Sequence, residues 1–307
     1  MQLFPEVLLS QIAFLGAIEV GLVFALVAFG VFLSFRILDF PDLTVDGSFP
    51  LGGAVCATLI TFGWNPWLAT LAAITAGAMA GSVTAWLNVR LKILHLLASI
   101  LTMMALYSIN LRIMGKPNVA LLGEPTVLSV FDTLGVKYYY AAPIGFAIVV
   151  TAVAGLLLFF LKSELGLAMR AAGANPHMAK AQGINTGFMI IVGMALSNGL
   201  VALAGALFAQ STGNADITMG VGVILVGLAS VIGGEALLTP RTILLALLGC
   251  IIGSILYRLA VAAALNTDFL GLQAQDLNLI TAALVAMAIV LPTAKRAVFK
   301  PTGRPQA

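Results

Sequence analysis

Apolar runs of about 20 residues recur along almost the whole chain, each long enough to cross a roughly 30 Å hydrocarbon core as a helix. No soluble domain of useful size fits between them. Only 9% of the 307 residues are charged, against roughly a quarter in soluble domains, and the mean hydropathy is +1.09. The expected fold is therefore all-α, a polytopic transmembrane helical bundle embedded in a lipid bilayer.

Charges, Gly/Pro/Asn clusters and aromatic flanks divide the runs into helices near 11–34, 48–63, 67–87, 95–113, 141–161, 187–210, 219–238, 242–264 and 277–293. That is about nine spans (eight to ten) in one membrane domain over 1–295, followed by a tail over 296–307. The first ten residues lack a positive region and carry Glu6, which predicts a retained first helix rather than a cleaved signal. The second span is short and follows the polar, proline-containing stretch Leu38 to Gly47. Irregular backbone at membrane depth survives only when covered by protein or lining a wet cavity, so 38–63 reads as a broken helix.

The net charge of +3 comes from 15 Lys and Arg that fall in short connectors and the tail rather than in a stripe, which argues against nucleic acid. With nine spans, eleven of them fall on one side: Arg36, Arg90, Lys92, Lys162, Arg170, Lys180, Arg241, Lys295, Arg296, Lys300 and Arg304. The other side holds four, Arg112, Lys116, Lys137 and Arg258. The positive-inside rule then puts the N-terminus outside and the C-terminus in the cytoplasm. Residues 115–140 become an external loop, amphipathic enough around Val127, Leu128, Val130 and Phe131 to hold an interfacial helix. Trp64, Trp67 and Tyr138 to Tyr140 fit an interfacial aromatic belt.

Catalysis has little to work with. His95 and His177 are the two histidines, in no HExxH or triad-like setting, and no GxxxxGK[ST] phosphate loop is present. Cys56 and Cys250 sit far apart in apolar runs, as buried thiols do, so no metal site is expected.

Ser163 to Thr186 is the longest loop on the cytoplasmic side. Asn175 suits an N-cap, Pro176 the first helical position and Gly183 a left-handed C-terminus, which predicts a short helix projecting Met178, Ala179 and Gln182 between two spans as a plug for a groove on another protein. Ordinary helix connections run about 2–8 residues, so a plain solvent-exposed connector is the weaker reading.

The run Arg170-Ala-Ala-Gly-Ala-Asn-Pro, continuing to Ala179-Lys-Ala-Gln-Gly-Ile-Asn185, resembles the coupling-helix loop of ATP-binding-cassette importer permeases that serve branched-chain amino acids, ribose and related solutes. Asp42-Leu-Thr-Val-Asp-Gly-Ser48 is similar to the Asp-Leu-Ser-Val-Gly-Ser segment of sugar-type members, with Thr44 in place of Ser and Asp46 inserted. The string Phe40 to Gly53 looks closest to a subgroup associated with tryptophan or tyrosine uptake or left without an assigned substrate. Gly222 to Glu235 resembles the glycine-rich helix late in these permeases, so the likeness covers roughly 12–293.

That resemblance implies a transport subunit of a bacterial inner membrane, not an enzyme, with ATP and Mg bound by a separate ATPase and no cofactor in this chain. It implies an external solute-binding protein and a second permease copy, a homodimer being favoured. Arg170, Ala172, Gly173, Asn175, Ala179, Gly183 and Ile184 would form the ATPase-coupling segment. Asp42, Thr44, Asp46 and Ser48 would border the translocation path of a small solute, an amino acid of aromatic type being implied by resemblance alone, and Glu19 and Asn198 join them as candidates because they are polar at membrane depth.

Plainer readings stand beside each of these. Asp42 and Asp46 would equally cap helix starts, Glu19 would pack helices, and Asn110, Ser197, Asn198 and Gln210 are more often interhelical bonds than ligand contacts. Arg258 is expected to snorkel. Gly77/Gly81 and Gly249/Gly253 permit close helix approach, a weak signal among 31 glycines. Asp42-Leu-Thr and Asp216-Ile-Thr fall on opposite sides, as inverted repeats would place them. The rival functions are an ion-coupled secondary transporter or solute channel, and a membrane scaffold.

Overall fold

The computed structural model describes residues 11–129 and 138–265, together with 283 and 286. The ninth expected span, over 277–293, lies outside the described residues apart from those two, as do Val130 and Phe131 of the external loop. Helices occupy the other eight expected positions: α1 (Gln11–Val31), α2 (Val45–Thr61), α3 (Pro66–Leu91), α4 (His95–Met114), α5 (Tyr138–Lys162), α8 (Thr186–Thr212), α9 (Val223–Leu238) and α10 (Ile243–Leu265). Between α5 and α8 lie two short helices, α6 (Glu164–Ala174) and α7 (Pro176–Ala181). Among the described residues six helices are long and apolar enough to cross a membrane, while α2 and α9 are shorter apolar helices.

Helix α8 is the axis of the bundle, packing most extensively on α3 and α2 and also on α1. Close approach explains the spacing of small residues on α3. A Cβ on Gly77 would collide with Ala202, and one on Gly81 would collide with the Met194 carbonyl and the Asn198 side chain. Gly234 on α9 and Gly249 on α10 make a similar contact. The weak glycine spacings in the sequence thus mark real helix crossings.

The first helix does not end at Val31 but widens into a π-turn over Phe32–Ile37. The Gly30 carbonyl accepts the hydroxyls of Ser197 at 2.7 Å and Ser34 at 3.3 Å, so side chains compete with the backbone where the helix widens. The irregular stretch 38–44 follows, with Asp39 in the left-handed region at φ 52°. Within it Leu38, Phe40, Asp42 and Thr44 are buried and Asp39 is exposed, and Val45 to Leu51 at the start of α2 are buried except Asp46, so protein covers most of the broken backbone.

One feature was not expected of an all-α chain. Asn118–Ala120 (β1) pairs antiparallel with Asn214–Asp216 (β2), Val119 facing Ala215. Leu121 N–H to Gly213 O at 2.8 Å and Ile217 N–H to Pro117 O at 3.0 Å extend the ladder, tying the end of α4 to the end of α8.

The main apolar core joins α1, α5, α8, α9 and α10. A separate cluster joins Leu38, Phe40, Ala85, Met169, Ala172, Ala179, Met189 and Met194, fastening α6 and α7 to the broken stretch. Trp64 and Trp67 are half-exposed at the turn between α2 and α3.

Candidate functional site

The polar residues of the broken stretch meet α8 in a single buried network. The Asp42 carboxylate, wholly buried, accepts the Thr44 N–H at 2.9 Å through Oδ1 and the Asn198 Nδ2–H at 2.8 Å through Oδ2. Asn198 Oδ1 in turn accepts the Ser48 hydroxyl at 2.7 Å. The Thr44 and Thr84 hydroxyls pair at 2.9 Å, bringing in α3. Thr84 was not foreseen, although it lies three residues beyond Gly81 on the α3 face that meets α8. With all five residues fully buried, the network joins α2, α3 and α8 beneath the loop.

Asp46 works on a different partner. Its carboxylate accepts the backbone N–H groups of Ile224 at 2.8 Å and Gly222 at 3.3 Å, capping α9 from across the bundle. Gly220 leaves room for this approach, since a Cβ there would strike the Asp46 carbonyl and the Pro50 ring. Asp216 repeats the Asp42 turn, accepting the Thr218 N–H at 2.7 Å, so the two Asp-x-Thr segments share one local geometry. Asp216 lies on the ribbon, and the Thr218 hydroxyl followed by its N–H holds the Asp216 carboxyl below the ordinary carboxylate range.

A cavity of about 400 Å³ opens beside Asp46, between the start of α2, the middle of α4 and the connector from β2 to α9. Pro50, Met103, Met104, Tyr107 and Ile217 give it apolar and aromatic walls, with Asp46, Asn110 and Thr218 as polar groups. Two larger grooves, about 540 Å³ over α3, α5 and α8 and about 530 Å³ over α3 and α4, are lined almost wholly by apolar side chains. Those two offer almost no polar group to a solute.

Glu19 stands apart from this centre, with the Ser211 hydroxyl donating to it between α1 and α8. Arg258, expected to snorkel, sits with its guanidinium 4.3 Å over the Phe24 ring, a cation–π contact between α10 and α1. Ser197 and Gln210 bond between segments, Gln210 accepting the Val127 N–H at 2.8 Å and donating to Thr70 at 3.0 Å.

At the opposite end, Asn175 caps α7 through Met178 N–H at 3.0 Å, Pro176 takes the first helical position and Gly183 turns left-handed at φ 83°. Ala172 and Ala179 are buried, Arg170, Gly173 and Ile184 are partly buried, and Asn175 and Gly183 are exposed. Gly173 packs so closely on Ile37 that a Cβ would collide with its carbonyl oxygen. Ala172, Gly173 and Ala179 therefore face the bundle, so Ala179 does not project outward as expected, and Met178, 61% exposed, leads the outward surface with His177, Lys180 and Gln182.

Long apolar helices crossing through glycine contacts around a buried polar network, with a capped helical hairpin at one end, define a polytopic helical membrane protein. The chain belongs to the family described as branched-chain amino acid transport system / permease component, whose model matches residues 13–292. It is a membrane permease component of the ABC importer class. A tyrosine transport system permease protein of Clostridioides difficile is 40% identical over 86% of this chain and 86% of its own length. An uncharacterised protein of Rickettsia prowazekii, RP368, is 36% identical over 91% of this chain and 97% of its own. Among solved structures, PsaBC from Streptococcus pneumoniae in complex with Fab shares the fold, with a TM-score of 0.51 and 15% identity over 91% of this chain and 90% of that one.

Proposed function

We propose that this permease carries an amino acid with an aromatic side chain inward across a bacterial cytoplasmic membrane, as one half of a homodimer of nine-span subunits. In this reading the N-terminus lies outside, where a solute-binding protein delivers cargo, and a separate ATPase supplies ATP and Mg. The 40% identity to a tyrosine transport permease supports the cargo class. The matched turns at Asp42 and Asp216 support an inverted repeat.

The observation that carries the reading is the joint at α6 and α7. An exposed tip led by Met178 continues into a buried base, where Gly173, Met169 and Ala172 pack on Ile37, Leu38 and Phe40. Four residues beyond Leu38 stands Asp42, in the buried network. An ATPase docked on the tip therefore pushes on the broken stretch, and through it on α2 and α8.

Reconstitution in liposomes tests the proposal. Uptake of radiolabelled tyrosine should require the ATPase, the binding protein and ATP together. Uptake by this chain alone, driven by an ion gradient and indifferent to ATP, would overturn it in favour of a secondary transporter.

A further inference from the structure

Asn110, which lines the cavity beside Asp46, carries a buried polar atom with no hydrogen-bond partner among the described residues. Asn110 on α4 is 1% exposed, and its Nδ2 donates to the Gly47 carbonyl at 3.2 Å. A carbonyl only accepts, so this bond fixes the amide with Oδ1 as the remaining group. That Oδ1 is buried and has no hydrogen-bond partner among the described residues. An unmet buried acceptor costs about 1–3 kcal/mol, so a pure helix clamp accounts for half of this side chain and leaves the other half unfavourable.

The remaining wall fits one kind of molecule. Asp46 adds a carboxylate whose oxygens keep lone pairs after accepting two backbone N–H groups. No lysine or arginine is among the described lining residues, so the polar end of the cavity favours a donor of positive charge. Pro50, Met104 and Tyr107 offer aliphatic, thioether and aromatic contacts, which suit a flat ring. A volume of about 400 Å³ lies within the usual range of small-molecule pockets, about 300–1,000 Å³.

We infer that this cavity is a station for the cargo inside the permease, taking the ammonium group of an aromatic amino acid at Asn110 and Asp46 and its ring against Pro50, Met104 and Tyr107. The inference rests on the amino acid importer reading above, and it makes Asn110 a residue that selects for the ammonium group. Asp46 serves both as the cap of α9 and as the acidic wall, so motion of α9 alters the station directly.

Met104 lines the cavity and is 65% exposed, so a cysteine there leaves the packing undisturbed, and the native Cys56 and Cys250 are buried. In the permease–ATPase complex without binding protein, a thiol reagent should modify Met104→Cys, and L-phenylalanine should slow the modification while 3-phenylpropionate, lacking the ammonium, should not. In Met104→Cys/Asn110→Leu that protection should weaken by about tenfold, the value of one hydrogen bond to a charged group. In the complete importer, the modified Met104→Cys protein should lose uptake while the binding protein still stimulates ATP hydrolysis. Equal protection by both compounds, or full uptake after modification, overturns the station. Failure of the unaltered importer to move any amino acid instead overturns the broader reading.

Discussion

Asn198 on α8 donates to Asp42 at 2.8 Å and accepts from Ser48 at 2.7 Å, so one amide side chain holds both the broken stretch and the start of α2. The bond to Asp42 stabilises a carboxylate that has no exposed surface. An amide suits the position because it supplies a donor and an acceptor together, which a carboxylate or hydroxyl of similar length does less well.

Asn198→Leu removes both functions at once and leaves Asp42 and Ser48 each short of a partner. The expected loss is about 3 kcal/mol, between that of an unmet buried polar group and that of a broken buried ion pair. Thermal unfolding of the detergent-solubilised protein measures it. An unchanged midpoint would show that the network contributes nothing to stability.

Asp46→Ala should cost about 1 kcal/mol through the lost cap on α9, and Asp46→Asn should cost less because its side-chain oxygen still accepts. Hydrogen exchange at Gly222 and Ile224 should quicken in Asp46→Ala. Protection retained at both amides would mean that α9 holds its own first turn.

Much of this was legible in the chain before its structure. Long apolar runs impose helices in lipid, so eight helix positions followed from hydropathy and punctuation. The caps of α7 were readable because Asn175, Pro176 and Gly183 act locally. What could not be read were choices made by distant partners. Asp42 and Asp46 are both capping residues in the sequence, and only the fold turns one toward Asn198 and the other toward α9. Ala172 and Ala179 carry the family likeness, yet small residues fit a buried joint as well as a docking surface, and the structure buries both. The ribbon of β1 and β2 was invisible because three-residue strands joined across the bundle leave no periodic pattern.

The crossing of α3 and α8 separates two glycines of equal composition and unequal role. Gly81→Leu should destabilise the protein by about 3 kcal/mol or prevent folding, because the α8 backbone occupies the space. Gly155→Leu on α5, where a Cβ meets nothing within 4 Å, should be neutral or slightly stabilising through helix propensity. Folded yield by size-exclusion chromatography distinguishes them, and equal yields would contradict the close crossing.

Asp216 predicts a pH dependence outside the membrane helices. Its folded carboxyl is held below the ordinary value by Thr218, so its stabilisation is complete above the unfolded pKa of about 4 and fades as pH falls through the folded value. The melting difference between the unaltered protein and Asp216→Asn should be constant near neutrality and should close in acid. A difference that grows as pH falls would mean that Thr218 does not favour the charged form.

The helical hairpin gives the sharpest contrast between two substitutions only five residues apart. Met178→Glu changes an exposed tip, so the fold and the melting temperature should stay near those of the unaltered protein, since surface changes usually lie within about 0.5 kcal/mol. If the tip is the docking surface, the burial of a charge against the ATPase should weaken assembly and separate ATP hydrolysis from uptake. Gly173→Val instead drives a side chain into the Ile37 carbonyl, so it should lower both stability and uptake while leaving the exposed tip unchanged. Pull-down of the ATPase, melting temperature and tyrosine uptake together separate the two cases. Normal binding and normal uptake in Met178→Glu would move the docking surface elsewhere, whereas normal uptake in a stable Gly173→Val protein would break the proposed link from α6 to the broken stretch.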